Sequence, residues 1–315
     1  MNAALELLQG NFGGLAVGLG AFFVTLAAQH YMATAWSADE KRSYDEAEAA
    51  KNASLTPGET FLDRTRKSVK LGRIFQLSPD TFKFRFALPA RNSVLGLPIG
   101  KHFKVYGPNP VGVKDGEWNG RPDKEAGKAE IVRSYTPTSS DVDLGHFDLV
   151  IKVYKGGVID RFPDGGKLSQ FIGSLKPGDD VDIQGPYGLI EYLGGGEFKH
   201  KRKAFKARKI GMIAGGTVGW RSGVGVEERG RGGAWGSVKE RSSPTLNSTY
   251  SPTASSFSPF FIQGITPMLQ IMEAVFRDSA DTTTELSLLF GNQTENDILL
   301  RGRLEELAAQ VSGAK

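Results

Sequence analysis

The sequence predicts two globular units of different class: an antiparallel β-barrel and then an incomplete, doubly wound α/β domain, behind an amino-terminal transmembrane helix. Three patterns carry this. Phe82, Phe84 and Phe86 alternate with Lys83, Arg85 and Ala87, the period of a half-buried strand, and similar short runs recur between turn signals. From Lys209 the order becomes strand, glycine turn, helix, strand, helix. Phe12 to Ala28 carries no charged side chain.

At the amino end, a membrane-crossing helix needs about 20 mostly apolar residues. Phe12–Ala28, with Tyr31, Met32 and Trp36 beyond it, reaches that length. A secretory signal is the rival, but it calls for a basic start, and Glu6 is the only charged side chain before the apolar run. A buried helix is the third reading. Lys41, Arg42, Arg64, Arg66 and Lys67 follow, and the positive-inside rule then places the body in the cytosol. Residues 1–37 are thus expected to be an anchor and 38–65 a polar linker.

Residues 66–200 form the expected barrel unit. Strands are expected around Phe82–Phe86, His102–Tyr106, Ile131–Pro137, Phe147–Tyr154 and Val181–Ile183, with 107–129 a surface loop rich in Gly, Pro and charge. Within this unit Arg133 and Tyr135 sit two apart and share a strand face, and Thr136 follows where Pro137 ends the strand. A planar cation, an aromatic plane and a hydroxyl are what a dinucleotide flavin requires for its phosphates, ring and ring nitrogens. Lys152 and Tyr154 are again two apart. Gly165-Gly-Lys-Leu-Ser169 is a glycine turn into a helix start, where unpaired N–H groups attract phosphate.

Residues 201–315 form the expected α/β unit. Lys209–Ala214 is a buried strand and Gly215-Gly-Thr217 a sharp turn. Thr266-Pro267 caps a helix with Met268, Leu269, Ile271, Met272 and Val275 on its apolar stripe. Glu285–Phe290 is a strand and Asp297–Gln310 a second helix. Val218–Gln263, dominated by Gly, Ser, Arg and Pro, interrupts the unit between strand and helix. Its removal joins Gly-Gly-Thr217 to Gly264-Ile-Thr-Pro267 as a compact phosphate-type turn, so 218–263 is expected to be translated intron sequence, with a tolerated surface insertion as the alternative. The small number of strands after Lys209 leads to the expectation of a truncated carboxy terminus.

Composition narrows the chemistry. The 315 residues carry a formal net charge of +4, gathered largely in Lys199–Lys209, which does not read as a nucleic-acid binder. There is no cysteine, which removes thiolate metal sites, disulfides and cysteine nucleophiles. The four histidines lack metal-ligand spacing, so no metal is expected.

Arg133-Ser-Tyr-Thr-Pro137, Gly166-Lys-Leu-Ser169, Gly215-Gly-Thr217 with Gly264-Ile-Thr-Pro267, Gly291-Asn-Gln-Thr294 and Asp297-Ile-Leu-Leu-Arg301 together resemble the membrane-bound NADH-cytochrome b5 reductases, within the wider ferredoxin–NADP reductase-like flavoproteins. The resemblance implies FAD and NADH as cofactors and hydride transfer to the flavin, then single electrons to cytochrome b5 or a similar acidic haem protein. It implies that Arg133, Gly166, Lys167 and Ser169 hold the FAD phosphates, and that Tyr135 packs on the flavin. Thr136 hydrogen-bonds near its reactive nitrogen, and Val150, Lys152 and Tyr154 line the flavin and nicotinamide side. Thr217 and Thr266 frame the nicotinamide cleft, with Thr136 and Lys152 closest to catalysis. It also implies an endoplasmic reticulum or mitochondrial outer membrane location, with membrane lipid as a partner. The family's carboxy-terminal Cys-Gly-Pro-Pro region and terminal aromatic residue are absent. An inactive flavin-binding fragment and a membrane-anchored, non-catalytic partner-binding protein are the competing readings.

Overall fold

A computed structural model of the chain describes residues 55–215, 258–292 and 294–312. Its first unit contains β1 (Arg66–Ser78), β2 (Thr81–Ala87), β3 (His102–Pro108), a small hairpin of β4 (Glu117–Trp118) and β5 (Arg121–Pro122), β6 (Glu130–Tyr135), β7 (His146–Lys152), helix α1 (Lys167–Ser174) and β8 (Asp180–Tyr187). Six of these strands form one antiparallel sheet in the order β6-β3-β8-β1-β2-β7.

That order corrects the expected barrel. β6 and β7 stand at opposite edges and do not pair, so among the described residues the sheet is open. Alternation along a strand records which face is buried. It does not record whether the two outermost strands meet. Helix α1 packs across β3 and β6 and buries Leu168 and Ile172 in the same core as Val69, Leu71, Phe84, Phe103, Phe147 and Ile183. Phe86 stacks on Phe147 with centroids 5.2 Å apart, and Phe147 meets Phe103 edge-on at 5.3 Å.

The alternation in β2 holds for Phe84 and Phe86, but Arg85 is buried as well. Its guanidinium pairs with Asp148 on β7 through Nε and Nη2, each at 2.8 Å, and Lys83 approaches the same carboxylate at 3.7 Å. Arg85 and Asp148 lie directly opposite in the strand register, so the buried charge is matched across the ladder.

β9 (Ile190–Gly194), β10 (Glu197–His200) and β11 (Lys203–Lys206) make a three-stranded antiparallel sheet. The second unit follows with β12 (Lys209–Gly215), β13 (Ser258–Gln263), α2 (Ile265–Arg277), β14 (Glu285–Gly291), a 3-10 turn (Glu295–Asp297) and α3 (Arg301–Ser312). β12 is central and parallel to both neighbours, in the order β13-β12-β14. Ile210, Met212 and Ala214 pack against Met268, Leu269, Ile271, Met272 and Val275 of α2, joined by Leu299, Leu307, Tyr192 and Phe198.

Three details differ from the sequence reading. Ser258–Gln263, inside the expected insert, is a strand; residues 216–257 lie outside the described residues. Helix α2 begins at Ile265 with Gly264 as N-cap, so Pro267 falls inside the first turn, where a missing N–H has no helical partner to lose. The last helix starts at Arg301 rather than Asp297, because Leu300 takes a left-handed φ of 55° and breaks the turn.

The membrane expectations are also corrected. No helix among the described residues is long and apolar enough to cross a membrane. The anchor expected at residues 1–37 lies outside the described residues, and the lipid partner and the reticulum or mitochondrial location have no support from the fold.

Candidate functional site

The site is assembled around the end of β7. Lys152 closes that strand, with Val150 buried two residues before it and Tyr154 half-buried two residues after it. The chain then loops back. The N–H of Gly166 donates to the carbonyl of Tyr154 at 2.8 Å, and the N–H of Tyr154 donates to Ser169 Oγ at 3.3 Å. These bonds fasten the glycine turn and the start of α1 against β7.

Glycine is required there. Gly165 has φ of 68°, and a Cβ on it would stand 2.4 Å from the Tyr154 carbonyl oxygen. A Cβ on Gly166 would meet Ser169 Oγ at 2.5 Å. α1 starts with no side-chain cap and no acidic residue in its first turn. Its opening N–H groups are therefore the donor set that an anionic phosphate takes at a helix start.

Arg133 and Tyr135 approach from β6. Burial pushes the Tyr135 hydroxyl well above the usual phenol range, despite the opposing charge of Arg133. Tyr135 belongs to the core of the first unit and is 8% exposed, and Thr136 beside it is also buried. Arg133 is half-buried, with its fork bound to Glu125: Nη1 and Nη2 each reach a carboxylate oxygen at 2.7 Å. That pairing raises the Arg133 pKa and lowers that of Glu125.

Lys167 is placed differently from the expectation that its side chain grips phosphate. Its ammonium is buried, donating to Asp123 at 2.6 Å and to Asn109 at 2.9 Å, and it lies 5.0 Å from the centroid of the Trp118 ring. The main chain of the turn is left as the phosphate-facing part. A cation, a glycine turn and an uncapped helix start, with Tyr154 between them, fit a dinucleotide flavin.

The second unit meets this site along one seam. Lys152 Nζ donates to Asp297 Oδ1 at 2.5 Å and lies 3.1 Å from Asp80. Burial works against the charged form of Lys152, but the two carboxylates outweigh it and its pKa is raised. Thr294 fixes Asp297 in turn, its Oγ1 donating at 2.8 Å. Gly100 donates its N–H to Gln270 Oε1 at 2.7 Å, and Arg277 reaches Ser140 at 2.5 Å. Thr266 is buried one turn before Gln270, at another helix start with no side-chain cap and no acidic residue in its first turn. Thr217 lies outside the described residues.

Tyr154, Gly166 and Ser169 are joined directly, and Arg133 and Lys167 share Glu125, whereas Tyr135 closes β6 and Val150 and Lys152 close β7, on opposite edges of the sheet. Sequence reasoning missed Asp123, Glu125 and Asp297, the carboxylates that hold Arg133, Lys167 and Lys152. A tryptophan in a stretch of Gly, Pro and charge, Trp118, was the available signal that 107–129 is more than a solvated loop.

Two domain patterns match the chain in succession. The oxidoreductase FAD-binding domain model matches residues 68–114 and 123–192, and the oxidoreductase NAD-binding domain model matches 263–315. NADH-cytochrome b5 reductase 1 of Bos taurus is 39% identical over 267 residues, covering 82% of this chain and 67% of that protein. NADH nitrate reductase 1 of Oryza sativa subsp. japonica is 37% identical over 75% of this chain and 19% of its own length. The crystal structure of the cytochrome b5 reductase domain of Ulva prolifera nitrate reductase is 33% identical, with a TM-score of 0.57, over 80% of this chain and 71% of that one. The chain spans about two thirds of the bovine reductase and a fifth of the rice enzyme. With a FAD-binding and an NAD-binding domain in that order, the chain belongs to the NADH-cytochrome b5 reductase family.

Proposed function

We propose that this chain is an oxidoreductase that passes reducing equivalents from NADH through FAD to cytochrome b5 or a similar acidic haem protein. The observation that carries the reading is the fastening of the Gly165–Gly166 turn and the uncapped start of α1 to the end of β7, with Arg133 tied to Lys167 of that turn through Glu125, beside an NAD-binding unit. FAD, when bound, supplies the chemistry of accepting a hydride and releasing electrons singly.

The protein's own part is binding and orientation. The main-chain N–H groups at the start of α1 and the Arg133 guanidinium hold negative charge. Tyr154, half-buried, provides ring surface, while Tyr135 and Thr136 stand buried at the end of β6. Lys152 places a positive charge at the seam, held by Asp80 and Asp297. Thr266 sits at the start of α2, where the first-turn N–H groups favour a second anionic group.

A second reading is a flavin-binding chain that does not turn over NADH. One observation favours it: β13 stands between β12 and α2 in the chain, so α2 does not follow β12 directly. Both readings are separated by assaying the full chain, loaded with FAD, for NADH-dependent reduction of cytochrome b5. Haem reduction supports the oxidoreductase, and flavin binding without haem or flavin reduction supports the second reading.

A further inference from the structure

The segment between β3 and β6 is fastened onto the glycine turn, beyond what a loop needs merely to connect two strands. Trp118 Nε1 and Asn119 Nδ2 both donate to the Gly165 carbonyl at 2.9 Å. The Asp164 carboxylate accepts the main-chain N–H of Val113 at 2.6 Å and of Asn119 at 2.5 Å, and Asp164 N–H donates back to Asn119 Oδ1 at 2.8 Å. The FAD-binding domain pattern matches 68–114 and 123–192 and leaves out 115–122, which contains the β4–β5 hairpin with Trp118 and Asn119.

The clasp brings two carboxylates to Lys167 at the turn and Arg133 on β6. Asp123 takes Lys167 at 2.6 Å, and Glu125 takes the fork of Arg133 while lying 3.5 Å from Lys167. Two positive and two negative charges leave no formal excess for a diphosphate. The two pairs are not equally fixed. Lys167 and Asp123 have side chains 5% and 11% exposed, whereas Arg133 and Glu125 are 42% and 25% exposed. The main chain at Glu125 is pinned, because Asn109 Nδ2 donates to its carbonyl at 2.7 Å and its N–H donates to Asp123 at 3.0 Å. Rotation of the Glu125 side chain removes both carboxylate contacts of Arg133 and leaves its Nη1 bond to the Val132 carbonyl at 2.8 Å.

We propose that Glu125 is a built-in competitor for the FAD diphosphate: it occupies the Arg133 fork and gives way when the cofactor binds, and so sets flavin affinity. The proposal rests on the flavin reading above. A bidentate guanidinium–carboxylate pair is a strong charge-assisted contact, and its exchange for phosphate costs affinity that a neutral side chain would not. Asp123 keeps the clasp closed on Lys167 throughout.

The test is FAD binding by the flavin-free full chain, followed by quenching of flavin fluorescence, for wild type, Glu125→Gln and Asp123→Asn. The amide in Glu125→Gln still accepts from Arg133 but carries no charge. It is expected to bind FAD about three- to tenfold more tightly, with faster association. Asp123→Asn is expected to lower the thermal midpoint and not to tighten binding. Equal or weaker binding by Glu125→Gln, in a protein with unchanged thermal midpoint, overturns the proposal and makes Glu125 an orienting partner of Arg133. Should Glu125→Gln prove unstable, faster FAD association by Glu125→Ala supports the proposal and unchanged or slower association overturns it. Absence of FAD binding by every folded variant, wild type included, overturns the flavin reading itself and the proposal with it.

Discussion

Lys152, the last residue of β7, spans the seam between the two units and donates to Asp297 at 2.5 Å. The contact joins residues 145 positions apart in sequence and puts a held ammonium where the FAD-binding and NAD-binding units meet. Removing the ammonium would leave Asp80 and Asp297 unneutralised against an anionic dinucleotide entering that seam. Lys152→Met is expected to raise the KM for NADH about tenfold while leaving FAD affinity within about twofold. Steady-state kinetics with flavin fluorescence as a parallel readout checks this; equal loss of both affinities would place Lys152 in the fold and not in the cleft.

The buried Arg85–Asp148 pair governs stability and not chemistry. Both side chains are 9% exposed, so removing one leaves the other charged and buried. Asp148→Ala is expected to destabilise the first unit by about 3 kcal/mol, measured by urea unfolding. Burial alone raises the Asp148 pKa, but Arg85 and Lys83 outweigh it and the folded value is lowered. A carboxylate depressed in the folded state contributes stability above its unfolded pKa and loses it as pH falls through the folded one. The stability of the wild type is therefore expected to decline below about pH 4 more steeply than that of Asp148→Asn.

At the glycine turn, backbone geometry decides the outcome. Gly165 combines positive φ with a Tyr154 carbonyl oxygen 2.4 Å from where a Cβ would stand. Gly165→Ala is expected to cost about 1–3 kcal/mol of stability and to weaken FAD binding, because the turn must withdraw from β7. Thermal unfolding with and without FAD separates the two effects. An unchanged midpoint and affinity would mean that the turn adapts without strain.

Lys199, Lys201, Arg202, Lys203, Lys206 and Arg208, on β10, β11 and the residues between and just after them, are all exposed. If this basic face steers an acidic haem protein, its effect falls with ionic strength. Replacing Lys201 and Arg202 with Glu is expected to raise the KM for cytochrome b5 several-fold at low salt and hardly at all in 0.5 M salt, on the order expected for rim charges. Ferricyanide, a small anion with no docking surface, is the control acceptor.

Much of this was legible in the sequence, and the remainder failed for identifiable reasons. The strands around Phe84, Phe147 and Ile210, and helix α2, follow periodicities that burial imposes on side chains locally. The Gly165–Gly166 turn was legible too, because a glycine turn is a local feature. Barrel closure was misread because it depends on whether β6 meets β7, which alternation does not encode. The carboxylates were missed for the same reason. Asp297 meets Lys152 only through the packing of two units, and Asp123 and Glu125 act only because Trp118 and Asn119 fold their loop onto Gly165. Helix start signals misplaced α3 because a left-handed Leu300 is not written in residue type.

The most direct measurement is an anaerobic NADH titration of the FAD-loaded full chain, recording flavin absorbance. The expected result is bleaching of the flavin band at about one NADH per FAD, recovering when cytochrome b5 is added. A flavin band that persists under excess NADH would contradict the assignment of NADH oxidation to this chain and leave a flavin-binding protein without its reductant.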